Sequence, residues 1–74
     1  MPKLRVLSGR QVCSILEEHG FIKVRQKGSH IIMRRELEGY DSITVPVPDH
    51  RELDKGTLNG IIRQSGADRK VFMT

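Results

Sequence analysis

The sequence predicts an α+β fold in which two helices cover one face of a three-stranded antiparallel sheet, in the order α-β-β-β-α. Two segments indicate the helices: residues 8–20 and 53–65 carry apolar residues at spacings of three and four, and a glycine lies at or beside the end of each. The alternation of apolar and polar residues between them indicates the sheet. With 74 residues the chain has room for one domain, which we expect to span residues 1–74.

The first helix is predicted from Ser8 to Gly20. Ser8 and Gln11 have the spacing of a capping box, and Gly20 can end the helix in a left-handed conformation. Cys13 is expected to pack as a small core residue rather than to serve as a reactive thiol. His19 is expected to cap the last turn, where the helix dipole favours a cation. The stripe that faces the core consists of Val12, Ile15 and Leu16.

The next two strands are predicted to form a β-hairpin. Residues 21–27 alternate, and Gly28-Ser29 suits a two-residue type II′ turn, which places Lys27 opposite His30. Directly paired residues share a sheet face, so an uninterrupted ladder determines both faces. The core face is then expected to hold Ile22, Val24, Ile31 and Met33. The open face is expected to be a basic plane that holds Lys23, Arg25, Lys27, His30, Ile32 and Arg34.

The third strand is predicted over residues 42–47, after a turn that contains Gly39. Its apolar residues, Ile43, Val45 and Val47, alternate with polar residues and Pro46. Because a proline cannot donate to a central ladder, this strand is expected at an edge of the sheet. An exposed edge of this kind can pair with a partner chain.

The second helix is predicted to begin at residue 53 or 54 and to end at residue 65, with Gly66 as its C-terminal signal. Its apolar stripe consists of Leu58, Ile61 and Ile62. Gly56 and Gly60 lower the intrinsic helix propensity, so packing must supply much of the stability of this helix. A short final turn is expected to lay Phe72 on the core.

The charge of the chain is unevenly distributed. Residues 1–35 contain eight Lys and Arg against two Glu, whereas residues 36–74 contain five against seven acidic residues, and the net charge is +4. Such a balance is compatible with a nucleic-acid partner, because cationic side chains release counterions condensed on phosphates. It is equally compatible with a solvated face that keeps a small protein soluble.

Several classes of protein are disfavoured by composition. No apolar run approaches the roughly 20 residues of a membrane span, and the N-terminus lacks the apolar segment of a secretory signal, so a cytoplasmic protein is expected. Cys13 is the only cysteine, which excludes an internal disulfide and a thiolate zinc site within one chain. The three histidines have no ligand spacing, so neither a metal nor another cofactor is expected.

Four motifs together cover about residues 8–66: the opening helix that ends in Glu18-His19-Gly20-Phe21, the turn Gln26-Lys27-Gly28-Ser29-His30, the run Val45-Pro46-Val47-Pro48 followed by His50, and Lys55-Gly56-Thr57-Leu58 leading to residues 61–66. In this order and spacing they resemble the HicA family of bacterial toxins. Residues 68–74 differ from the acidic tail of that family. The resemblance implies a fold similar to a double-stranded RNA-binding domain and the activity of a small mRNA interferase.

The resemblance also implies that RNA cleavage needs no metal, that His30 is the catalytic residue, and that a HicB-type antitoxin covers this histidine and the basic surface. The predicted register supports a role for His30, because it places an imidazole on an exposed face among cations. A neutral imidazole can take the proton of a ribose 2′-hydroxyl, and cations can stabilise the phosphorane. The residues expected to contact RNA phosphates are Lys23, Arg25, Lys27, Ser29 and Arg34.

The general acid for such a reaction is left open between His50 and Lys27. Two alternatives to an enzyme also remain. One is a noncatalytic double-stranded RNA-binding module with the same fold and basic face, in which His30 is only solvated. The other is a protein-interaction partner whose basic face meets an acidic protein. Aromatic side chains are nearly absent from the predicted open face, so contacts to the RNA backbone are expected to dominate recognition.

Overall fold

A computed structural model describes residues 3–73 and contains two helices and one antiparallel sheet with the strand order β1-β2-β3. The elements, in chain order, are α1 (Gly9–Glu18), β1 (Ile22–Lys27), β2 (His30–Glu36), β3 (Ser42–Pro48), α2 (Lys55–Ser65) and a 3₁₀ helix (Arg69–Phe72). This α-β-β-β-α order confirms the predicted α+β class and is that of a fold like the double-stranded RNA-binding domain. Pro46 lies on an edge strand, as expected.

The capping box and the His19 cap predicted for α1 are both present. The Ser8 side chain accepts the N–H of Gln11 at 3.1 Å, and the Gln11 side chain accepts the N–H of Ser8 at 2.9 Å, which completes the capping box. His19 Nδ1 donates to the Ile15 carbonyl oxygen at 2.8 Å and so caps the end of α1. At α2, the Asp54 carboxylate accepts the N–H of Thr57 at 2.6 Å.

The core lies between the helices and one face of the sheet. α1 lies across all three strands, and α2 packs mainly along β3. The central side chains come from every layer: Leu7, Val12, Leu16, Phe21, Met33, Val45, Val47, Leu58 and Phe72. Phe72 is fully buried, as predicted, and a backbone bridge between Leu4 and Met73 brings the two ends of the described chain together.

The β1–β2 ladder contains a β-bulge that the alternation of the sequence does not predict. Lys27 pairs with His30 and Arg25 with Ile32, but the next pair is Lys23 with Met33. Val24 is therefore an extra residue without a partner opposite it. The β2–β3 ladder runs without such a shift from His30↔Pro48 to Glu36↔Ser42.

The bulge makes three predicted placements wrong. Ile22 and Val24, expected in the core, are 60% and 45% exposed. Lys23, expected on the open basic face, pairs with the fully buried Met33 and lies on the helix-covered side. The physical reason is that one inserted residue reverses the faces of all residues beyond it, because side chains alternate with a period of two. The open face is thus more apolar and less basic than the sequence predicts.

Candidate functional site

His30 lies at the first position of β2, directly after the hairpin turn. Gly28 has φ of +58°, and no described residue other than glycine has a positive φ, which fits the predicted type II′ turn with glycine at its first central position. This two-residue turn places His30 opposite Lys27 on one side and Pro48 of β3 on the other. The side chain of His30 is exposed, and no described residue forms a hydrogen bond with its ring.

The turn is held by the segment that follows β3. The N–H of Asp49 donates to the Ser29 carbonyl oxygen at 2.6 Å, and the Asp49 carboxylate forms a salt bridge with Arg10 at 3.2 Å. The N–H of Gly9 donates to the His50 carbonyl oxygen at 2.9 Å, and a Cβ on Gly9 would clash with the Pro48 carbonyl. The start of α1, the end of β3 and the hairpin turn are therefore fixed relative to one another, which positions His30.

Two clefts meet at His30. The first, of about 580 Å³, is lined by Lys27, Gly28, Ser29, His30, Ile32 and Pro46. The second, of about 240 Å³, lies between His30 and α2, and its lining includes Pro46, Pro48, Thr57, Gly60 and Gln64. The imidazole thus stands between a basic cleft at the turn and an uncharged cleft at α2.

Four of the five residues predicted to contact phosphate lie near His30 or on the same open face. Lys27 and Ser29 line the first cleft, and Arg25 and Arg34 line a neighbouring cleft with Val24. The Arg34 guanidinium also forms a salt bridge with Glu36 at 2.9 Å, which offsets part of its charge. Lys23 is not among these residues, because it lines a cleft beside α1 together with Cys13 and Glu17.

His50 does not line either cleft of His30. It lines a separate cleft at the start of α1 with Ser8, Arg10, Asp49 and Arg51. The structure therefore does not bring the two histidines together around one cleft, and an auxiliary role for His50 stays a prediction.

Cys13 is 8% exposed, and burial raises the pKa of its thiol to about 11, with the Glu17 carboxylate adding to the effect. The thiolate, which is the nucleophilic form, is thus scarce at neutral pH, and this supports the predicted packing role. Within residues 3–73, no three His, Cys, Asp or Glu side chains cluster where they could hold a metal ion. In the same range, neither helix has the length and apolar character of a membrane span.

Sequence reasoning missed four residues around His30. Gly9 and Asp49 fix the turn through contacts that are distant in sequence, and only the position of Gly9 beside the Ser8 cap gave a local signal. Thr57 and Gln64 reach the α2 cleft because helix positions 57, 60, 61 and 64 share one side at intervals of three and four residues. That spacing is visible in the sequence, although the location of His30 against this side of α2 is not.

Comparison with protein-family models matches residues 9–67 to the HicA toxin of bacterial toxin–antitoxin systems. A search of curated proteins and a search of solved structures gave no significant match. The family match covers most of the chain and includes α1, the whole sheet and α2. The chain therefore belongs to the HicA toxin family.

Proposed function

We propose that this toxin is an endoribonuclease that cleaves mRNA, with His30 as the general base. The observation that carries the proposal is the placement of His30: an exposed imidazole, without a hydrogen bond from any described residue, directly opposite Lys27. Membership of a toxin family makes an activity against a cellular target the expected role. A basic cleft beside a free imidazole suits a phosphodiester substrate.

In the proposed reaction, the neutral imidazole takes the proton of a ribose 2′-hydroxyl. The 2′-oxygen forms a bond to the adjacent phosphorus, and the bond from phosphorus to the 5′-oxygen of the next nucleotide breaks. That 5′-oxygen receives a proton from Lys27, His50 or water, and the products are a 2′,3′-cyclic phosphate and a 5′-hydroxyl. Lys27 lines the turn cleft together with His30, so its ammonium group can oppose the negative charge that builds up on the non-bridging oxygens of the phosphorane.

The phosphates on either side are proposed to contact Arg25, Arg34 and Ser29, which lie on the open face or at the turn. Lys23 lies on the other side of the sheet, so we leave it out of this set. The protein partner is proposed to be a HicB-type antitoxin that covers His30. A toxin–antitoxin family supports a partner of this kind, and the exposed imidazole of His30 leaves room for one.

The proposal is tested by incubating labelled mRNA with the purified protein and with His30→Ala in the presence of EDTA. Circular dichroism checks that both are folded, and a salt titration checks that both bind RNA. We expect the wild-type protein to cleave without added metal and to leave 2′,3′-cyclic ends, and we expect His30→Ala to bind without cleaving. Equal cleavage by both would contradict the assignment of His30.

The second candidate is a noncatalytic double-stranded RNA-binding module, which the α-β-β-β-α fold supports. Binding of RNA by both proteins with no cleavage by either would favour it. Preference for duplex over single-stranded RNA in the same titration would strengthen that conclusion, because modules of this type recognise the shape of an A-form helix.

A further inference from the structure

The cleft between His30 and α2 differs in chemistry from the cleft at the hairpin turn. The turn cleft contains Lys27, whereas the lining of the α2 cleft contains no Lys, Arg, Asp or Glu. A phosphate gains little from an uncharged site, since its binding depends on cations and aligned N–H donors. An uncharged, partly apolar cleft suits a nucleobase, which has an apolar ring and a polar edge.

The size of the α2 cleft fits the same ligand. Its volume, about 240 Å³, is below the roughly 300–1,000 Å³ of pockets that hold drug-sized molecules. One ring system with its polar edge is therefore a suitable occupant, whereas a whole nucleotide would extend past the cleft. Such an extension would lead toward His30, which lines both clefts.

Two side chains of α2 offer hydrogen-bonding groups to the cleft. Gln64 is exposed and no described residue forms a hydrogen bond with its side chain, whereas Thr57 is half-buried and its side chain forms a hydrogen bond with the Asp54 carboxylate. The Gln64 amide presents two donors and an acceptor, so it can pair with the edge of a base. Pro46 and Pro48 supply apolar walls on the sheet side.

The glycines of α2 are not required by the packing of the protein itself. A Cβ on Gly60 would meet no atom within 4 Å, and one on Gly56 would meet only the Asp54 carboxylate at 3.5 Å. Neither glycine has a positive φ, so alanine could adopt both conformations. Gly9, by contrast, is required by the packing, because a Cβ there would clash with the Pro48 backbone. Alanine would stabilise the helix, yet a side chain at position 60 would occupy the cleft.

We propose that the cleft between His30 and α2 binds one nucleobase of single-stranded RNA next to the scissile phosphate, with the Gln64 amide contacting the polar edge of the base and Gly60 leaving room for its ring. This inference rests on the proposed ribonuclease function. It assigns the phosphates to the turn cleft and one base to the α2 cleft. The protein's contacts with the RNA backbone are then supplemented by a preference for particular bases at one nucleotide.

The test compares cleavage of a pool of single-stranded RNAs with randomised sequence, in which the nucleotides around each cut are read by sequencing. The wild-type protein is expected to prefer particular bases at one position beside the cut. Gln64→Ala should weaken that preference about tenfold, the effect of one good hydrogen bond, and should leave the other positions unchanged. Gln26→Ala is the matched control for the base preference, because this exposed glutamine lies on β1 outside both clefts. Its side chain donates to the Gly28 carbonyl oxygen at 3.4 Å, so a change in the overall rate is scored separately from the preference. An unchanged profile for Gln64→Ala would overturn the proposal.

The Gly60→Ala variant tests whether Gly60 leaves room for a bound base or has no role in RNA binding. We expect a higher melting temperature together with cleavage several-fold slower than wild type, whereas a glycine with no role in RNA binding would give the stability gain with unchanged cleavage. Nuclear magnetic resonance of the wild-type protein with a 2′-O-methyl RNA, which cannot be cleaved, gives a readout without activity. Shifts of the Gly60 and Gln64 amides would support the base site even if the wild-type protein failed to cleave. Shifts confined to the turn would contradict it.

Discussion

At its hairpin end β1 lies in regular antiparallel register with β2, whereas beyond Arg25 the extra residue Val24 interrupts the ladder. The two lysines of the strand show the consequence. Lys27 stands opposite His30 and lines the cleft at the turn, but Lys23 pairs with Met33 and lines a cleft beside α1. Two like charges four residues apart on one strand thus serve opposite sides of the sheet, and of the two ends of β1 it is the hairpin end that places a cation opposite the exposed imidazole of His30.

The largest expected effect follows from the placement of His30 at the hairpin end. His30→Ala should lower cleavage by about 10²- to 10⁴-fold, the usual contribution of a general base. His50→Ala should lower it less than about tenfold, since His50 lines a separate cleft. Initial rates on a labelled mRNA measure both. A loss for His50→Ala as large as that for His30→Ala would show that the two histidines act together, against the geometry.

The two ends of β1 also differ in how well the sequence predicts their structure. The turn was predictable because a Gly-X pair, its type II′ geometry and the pairing of Lys27 with His30 all depend on four adjacent residues. The caps at Ser8 and Asp54 depend on equally local chemistry. The bulge depends instead on how β1 meets α1 and β2. The alternation of residues 22–24 favours Ile22 and Val24 in the core, and tertiary packing overrides it.

Sequence reasoning found His30 and its neighbours at the turn, but not the residues that α2 and the segment after β3 bring to it. His30 was predictable because the turn determines its register, whereas the approach of α2 to His30 depends on the packing of α2 along β3. The Arg10–Asp49 salt bridge joins residues 39 positions apart, and no local pattern indicates it.

A stability comparison tests the bulge directly. Met33→Ala should lower the free energy of unfolding by about 2–5 kcal/mol, because Met33 is fully buried and its removal leaves a cavity. Val24→Ala should change it by less than about 1 kcal/mol, because Val24 is 45% exposed on the open face and does not belong to the core. Urea unfolding measures both. In the uninterrupted register Val24 would face the core opposite Met33, so a cost of several kcal/mol for Val24→Ala would mean that the bulge is absent.

Replacing one of the two lysines is expected to have a smaller effect, which is measured as the salt dependence of RNA binding. Lys27→Ala should reduce the slope of log affinity against log salt by about 0.7, the value for one phosphate contact with a single strand. Lys23→Ala is the matched control and should leave the slope unchanged, since Lys23 lies beside α1. Both titrations use the His30→Ala background, so that the RNA stays intact. Equal slopes for the two variants would place both lysines, or neither, in contact with RNA.

The smallest effect concerns Cys13, which shares the cleft beside α1 with Lys23. The pKa of this thiol is raised to about 11 in the folded protein, mainly by burial, while Lys23 acts in the opposite direction. Between about pH 9 and 11 the unfolded chain therefore loses the thiol proton before the folded chain does, and stability falls as the pH rises. Cys13→Ala should make the free energy of unfolding decline less steeply across this window, which urea unfolding at several pH values measures. Lys23→Ala should raise the pKa of Cys13 further and slow its alkylation at pH 9, because a cation that favours the thiolate is removed. An unchanged alkylation rate would mean that Lys23 faces away from Cys13, as it would without the bulge at Val24.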